Sequence, residues 1–193
     1  MQTGTKKWLL TAAIFFCVLV GLGGTWLWYL SKYVHRHCIK QASMFFGMYS
    51  SEHQGQLPIS TNGFGDALLI LAREDPTSIH SLCGPDDEGH IFKEALQNNS
   101  VVPEDQCSRV YIQGLWETND PQICILFDRI SCKGGDHFRS PWGHRVRELC
   151  LLDGSMQVIR DEDWPEFSRR QVKLLVAAGF TRTNALHFYP AAK

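Results

Sequence analysis

The uncharged run from Trp8 to Leu30 (WLLTAAIFFCVLVGLGGTWLWYL) constrains this chain more than any other stretch. It reaches the roughly 20 apolar residues that a helix needs to cross a bilayer. No charged residue interrupts it, so it has no polar face to turn toward water, as a soluble amphipathic helix does. Lys6 and Lys7 precede it in the manner of a secretory signal, and Gly21, Gly23 and Gly24 supply small residues of the kind a signal peptidase reads. Cleavage there would leave Trp26, Leu27, Trp28, Tyr29 and Leu30 at a new N-terminus, which favours an uncleaved anchor. Trp8 at one end and Trp26, Trp28 and Tyr29 at the other resemble interfacial aromatic belts. The expectation is a single-pass membrane protein, with residues 1–7 cytoplasmic and 8–30 spanning.

The helical pattern continues past the run. Val34, Cys38, Ala42, Phe45 and Tyr49 recur at steps of three and four, which puts them on one stripe of an amphipathic helix over residues 31–54. Gly55 and Leu57-Pro58 end it. A head over 55–180 follows, then a tail, 181–193, without clear pattern. Within the head, Ser60, Thr61 and Asn62 can cap a helix over 64–74 that Pro76 stops. Thr77 to Cys83 reads as a short extended stretch, and 90–98 as a turn or two of helix. Strands are expected at 108–113, 122–128, 145–152 and 155–159, where β-branched and aromatic residues gather. Asp153-Gly154 signals a hairpin with a type I′ turn. Asp163 and Gly179 bracket a closing helix that starts at Trp164. Consecutive strands, an antiparallel hairpin and flanking helices make the expected class α+β, with the sheet packed on the amphipathic helix.

The net charge of −1 gives no basic surface for nucleic acid. Lys6 and Lys7 on one side and Lys32, Arg36 and Lys40 on the other nearly balance the charge rule for orientation. The seven cysteines decide it, because a cysteine-rich head suits an oxidising compartment and therefore an extracytoplasmic location. The alternative reading takes them as reduced, buried, small hydrophobic residues. For zinc, His80 and Cys83 form one short-spaced pair, with His90, Cys107, His137 and His144 elsewhere. Structural zinc normally shows paired short spacings, so no metal site is assigned. Asp161, Glu162 and Asp163 read as a turn and a favourable negative helix start rather than a calcium loop. No nucleophile elbow, phosphate loop or dinucleotide fingerprint occurs, and the chain is not read as an enzyme.

Taken in order, several short motifs carry a resemblance. Lys40-Gln41, Met48-Tyr49 and Glu52-His53-Gln54-Gly55-Gln56-Leu57-Pro58 look like the helix end of the bacterial type IV pilin-like and pseudopilin proteins whose C-terminal domain has a His, about nine residues, then Asp-Gly. Cys83-Gly84-Pro85-Asp86 is similar to that family's Cys-Pro-Ser-Asp turn. Cys107-Ser108-Arg109-Val110-Tyr111 is similar to its Cys-Ser-Tyr-x-Tyr strand, and Leu151-Leu152-Asp153-Gly154-Ser155-Met156-Gln157-Val158 to its Asp-Gly hairpin. His144, Asp153 and Gly154 stand for the family's motif. The resemblance implies a pilin-like fold and a role in a type II secretion or type IV pilus-like system. Its implied partners are the inner (cytoplasmic) membrane and other pilin-like subunits, with no nucleic acid and no small-molecule substrate. It brings Cys83 and Cys107 to the sheet edge as a disulfide candidate; apart from the resemblance, Cys124 and Cys132 are a second candidate pair, and Cys124 also fits as an ordinary core residue of its strand. The resemblance also makes calcium the one cofactor to consider, with Asp86 and Asp87 as ligands. The chain lacks the family's processing site and the Glu of the first helical turns, since Gly4 is followed by Thr5-Lys6-Lys7. That departure supports an alternative function, a membrane-tethered extracytoplasmic binding module that borrows the fold without forming filaments.

Overall fold

The computed structural model describes residues 16–26, 39–84, 89–133 and 144–190. The chain divides into two units, Met1–His35 and Arg36–Lys193. In the first, residues 16–26 form a helix, α1, whose every residue is exposed. Among the described residues no helix is long and apolar enough to cross a membrane. The rest of the expected span, Val34 and Cys38 of the expected stripe, Asp86, Asp87 and His137 lie outside the described residues.

The second unit is α+β. Its helices are α2 (Ile39–Glu52), α3 (Phe64–Glu74), α4 (Ile79–Leu82), α5 (His90–Asn98), α6 (Trp164–Ala177) and α7 (Arg182–Phe188). Its strands are β1 (Arg109–Tyr111), β2 (Cys124–Asp128), β3 (Cys132–Lys133), β4 (Arg145–Leu151) and β5 (Met156–Arg160). All pairings are antiparallel. β5 runs along one edge of β4 from Val146 to Cys150, so β2 and β3 must share the other edge. The sheet is therefore four strands wide, with β1 outermost beside β2 and β5 at the opposite edge.

Strand alternation sends side chains to two faces, and helices cover both. Tyr111 stacks on Phe46 of α2 at 5.0 Å, and Arg109 donates to the Ser81 carbonyl of α4. On the other face Phe127 meets Trp164 of α6 at 5.2 Å and Tyr189, just past α7, at 5.0 Å. A bulge between Cys124 and Leu126 lets two successive residues, Ile125 and Leu126, serve the α2 face. The expected packing of the sheet on α2 is thus half of the arrangement, because α6 and α7 close the other side.

Local chemistry explains where the elements depart from expectation. The buried stripe of α2 is Ile39, Ala42, Phe46 and Ser50; of the expected positions Ala42 is buried, and Phe45 and Tyr49 are half-buried. Phe46 is 2% exposed, and burying a side chain of that size contributes about 1.5–3 kcal/mol. The stretch expected to be extended after Pro76 is helical. Asp75 accepts the Thr77 N–H at 2.8 Å, and Pro76 occupies the first helical position, so this proline starts a turn rather than only stopping α3. The β4–β5 connection is not type I′. Gly154 N–H donates to the Leu151 carbonyl at 2.9 Å and only Gly154 has positive φ, +78°. This is a type I turn followed by a glycine bulge. The Ser155 hydroxyl and N–H hold the Asp153 carboxyl below its ordinary pKa there.

Gly65 of α3 sits against the 102–107 segment. A Cβ there would meet the Val102 carbonyl and lie 3.0 Å from Cys107 Sγ. Both neighbours are buried, so neither can retreat freely. Gly65→Ala should destabilise the head by about 1–3 kcal/mol through overpacking, read as a lower urea midpoint at unchanged slope.

Candidate cleft at the Glu104–His187 bridge

α7 is short, and two local features hold it. Thr181 Oγ1 accepts the Asn184 N–H at 3.2 Å as an N-cap, and Ala185 and Tyr189 are both fully buried one turn apart. This anchoring sets His187 and Phe188 beside the turn at Glu104–Gln106. His187 Nε2 lies 3.1 Å from Glu104 Oε2, while Glu104 Oε1 accepts the Phe64 N–H at 2.8 Å at the start of α3. The carboxylate thus ties α3 to α7. It also lies between two adjoining clefts of about 530 and 370 Å3, both lined by Glu104, His187 and Phe188.

The larger cleft is lined by Ile59, Gln113, Phe180 and Asn184. The smaller has an apolar floor of Val110, Phe127 and Trp164 and two arginines, Arg129 and Arg147. Arg129 donates from Nε to the Cys107 carbonyl at 2.8 Å and from Nη2 to the Glu104 carbonyl, and its guanidinium lies 5.7 Å from the Phe64 ring centre. Among the described residues it has no carboxylate partner. Arg147 lies over Trp164 at 4.7 Å, donates from Nη1 to the Asp128 and Arg129 carbonyls, and has Asp161 Oδ1 3.4 Å from Nε. Burial lowers the Arg147 pKa and Asp161 opposes the shift, but a guanidinium remains protonated. Both cations are therefore held rigidly by carbonyls and aromatic faces.

The site residues expected from sequence are distributed elsewhere. Cys83 and Cys107 are both buried, and Gly84 N–H donates to Ser108 Oγ at 2.7 Å, so their segments adjoin. Cys107 donates to the Pro103 carbonyl, and Cys83 Sγ faces Gly89. Among the described residues no cysteines are joined as a disulfide. Cys124 pairs with Leu151 and Cys132 with Val146, five positions apart along β4. At the strand rise this is about 17 Å, beyond the reach of a disulfide. His144 and Asp153-Gly154 stand at opposite ends of β4. Asp161 binds Ser131 and faces Arg145 and Arg147, and Glu162 pairs with Arg160, which occupies that acidic run with arginines. Among the described residues no three His, Cys, Asp or Glu side chains gather as a metal site.

The thiols of Cys124 and Cys150 are fully buried. Burial pushes Cys150 up to about 12 and Cys124 higher still, so neither is poised as a nucleophile near neutral pH. The cleft residues Glu104, Arg129, Arg147, His187 and Phe188 belong to no sequence motif. The available signal was Arg147 on the same strand face as the buried Leu149 and Leu151, an inward cation at the end of an apolar row. No protein-family model, curated protein or solved structure matches the chain.

Proposed function

We propose that this chain is a membrane-tethered binding module of pilin-like plan. Residues 8–30 would be its single-pass anchor in the inner membrane, and the α+β unit its extracytoplasmic head. The cleft carries the binding reading. Its volume is that of a small-ligand site, and its polar groups are fixed in advance by hydrogen bonds to the fold. Support for the tether comes from α1. Phe16, Val18, Leu19, Val20, Leu22 and Trp26 are each more than half exposed, and a bilayer would remove that apolar surface from water.

A second reading, a pseudopilin-like subunit or accessory of a type II secretion or type IV pilus-like system, is favoured by Met44 and Met48. They lie one turn apart on the outer side of α2, 64% and 56% exposed, beside an open Gly47. Such a face suits a neighbouring helix.

One experiment separates the two. Residues 1–30 are replaced by an unrelated membrane helix, and, separately, Met44→Glu and Met48→Glu are combined. A binding module stays monomeric by cross-linking in membranes in all three forms. A cross-linked ladder that is present in the natural chain and lost in both variants would overturn it in favour of the subunit reading.

A further inference from the structure

We infer that the smaller cleft binds a carboxylate carried on an aromatic or apolar group. The inference rests on the binding-module reading and names its ligand class, where the sequence pointed to no small-molecule partner.

Three observations carry it. First, Arg129 is half-buried and lacks a carboxylate partner among the described residues, and its donations from Nε and Nη2 leave Nη1 without a hydrogen bond. Arg147 likewise commits Nη1 to carbonyls, which leaves Nη2. Two guanidinium ends with donors to spare on one wall match the planar, bidentate geometry of a carboxylate. Secondly, the floor is Val110, Phe127 and Trp164, with Phe188 beside it, which accepts an aromatic or aliphatic body. Thirdly, Glu104 and Asp105 also line the cleft, on the segment whose carbonyls Arg129 holds. Glu104 is engaged by Phe64 and His187, Asp105 is exposed to solvent and Asp161 faces Arg147, so the cation that a ligand carboxylate would neutralise is Arg129. Asp105 remains available to accept a ligand N–H. An N-acylated amino acid has all three parts, and so has a peptide's C-terminal residue.

The test is calorimetric titration of the detergent-solubilised full chain with N-acetyltryptophan and with its amide, which differ only in the charge. The acid should bind about tenfold more tightly. Arg129→Gln should remove that preference. Because Arg129 also holds two carbonyls, a thermal melt accompanies it, and the exposed Asp105→Asn serves as an independent variant. It should raise the preference for the acid over the amide by about threefold. Equal affinity for acid and amide would overturn the anion assignment yet leave the cleft a binding site. If neither titrates, the ligand class is overturned, whereas the binding-module reading stands or falls by the cross-linking test. A tripeptide ending in tryptophan that outbinds N-acetyltryptophan would identify a peptide terminus as the source, and equal affinity a free acid; both support the class.

Discussion

Asp128→Ala should cost the head about 3–5 kcal/mol of stability, because it removes the carboxylate that faces a buried guanidinium. Arg109 is fully buried, and its Nε lies 3.0 Å from Asp128 Oδ1, across the β1–β2 pairing that sets the two residues opposite each other. Its Nη1 donates to the Ser81 carbonyl, so the guanidinium ties the sheet to α4. Asp128 Oδ2 also accepts the Glu148 N–H at 3.0 Å, and the alanine would forfeit that bond as well. The pair itself need not be stabilising relative to apolar residues, because the desolvation of two ions offsets their attraction. Arg109→Met combined with Asp128→Leu should therefore recover most of the loss. Urea unfolding of the two variants beside the natural chain reads both effects. A loss below about 1 kcal/mol for Asp128→Ala would mean that the guanidinium finds another partner or water, and the sheet–α4 tie would lose its account.

What the sequence disclosed and what it withheld divide along a physical line. Helices α3, α5 and α6 and strands β1, β2, β4 and β5 were legible because each carries its own period or β-rich run between turn residues. The structure goes beyond the local pattern where one residue type serves two purposes. Pro76 does stop α3 at Glu74, and with the capping Asp75 it also starts a new turn. Asp153-Gly154 does signal the β4–β5 hairpin, but only the glycine takes positive φ. On α2 the period alone points to Phe45 and Tyr49, whereas the tertiary partner Tyr111 selects Phe46. α7 is only seven residues long, and its stability comes from what Tyr189 meets rather than from its own pattern. The cleft was invisible for the same reason. Its walls come from positions 104–105, 127, 129, 147, 164 and 187–188, which no local motif joins.

That dependence on Tyr189 makes a second large effect predictable. Tyr189→Ala should cost about 3–5 kcal/mol, the loss expected for a large buried aromatic. The ring is fully buried, stacks on Phe127 at 5.0 Å, and meets Trp164 at 6.0 Å and Phe167 at 6.5 Å. Tyr189→Phe keeps those contacts. The lost hydroxyl faces the Cys124 thiol and has no hydrogen-bond partner of good geometry, so the change should fall within about 1 kcal/mol of neutral. The contrast assigns the effect to the ring rather than to its polar group. It also reaches the cleft. α7 hangs from Ala185 and Tyr189, and its His187 and Phe188 line both clefts. Under conditions where Tyr189→Ala remains folded by circular dichroism, amide exchange over residues 182–190 should rise far above that of β4, and N-acetyltryptophan binding should fall with it. If exchange stayed at the natural level while stability fell, the cluster would be supporting the sheet alone. The cleft would then owe its shape to the Glu104 bridge rather than to the aromatic seat beneath α7.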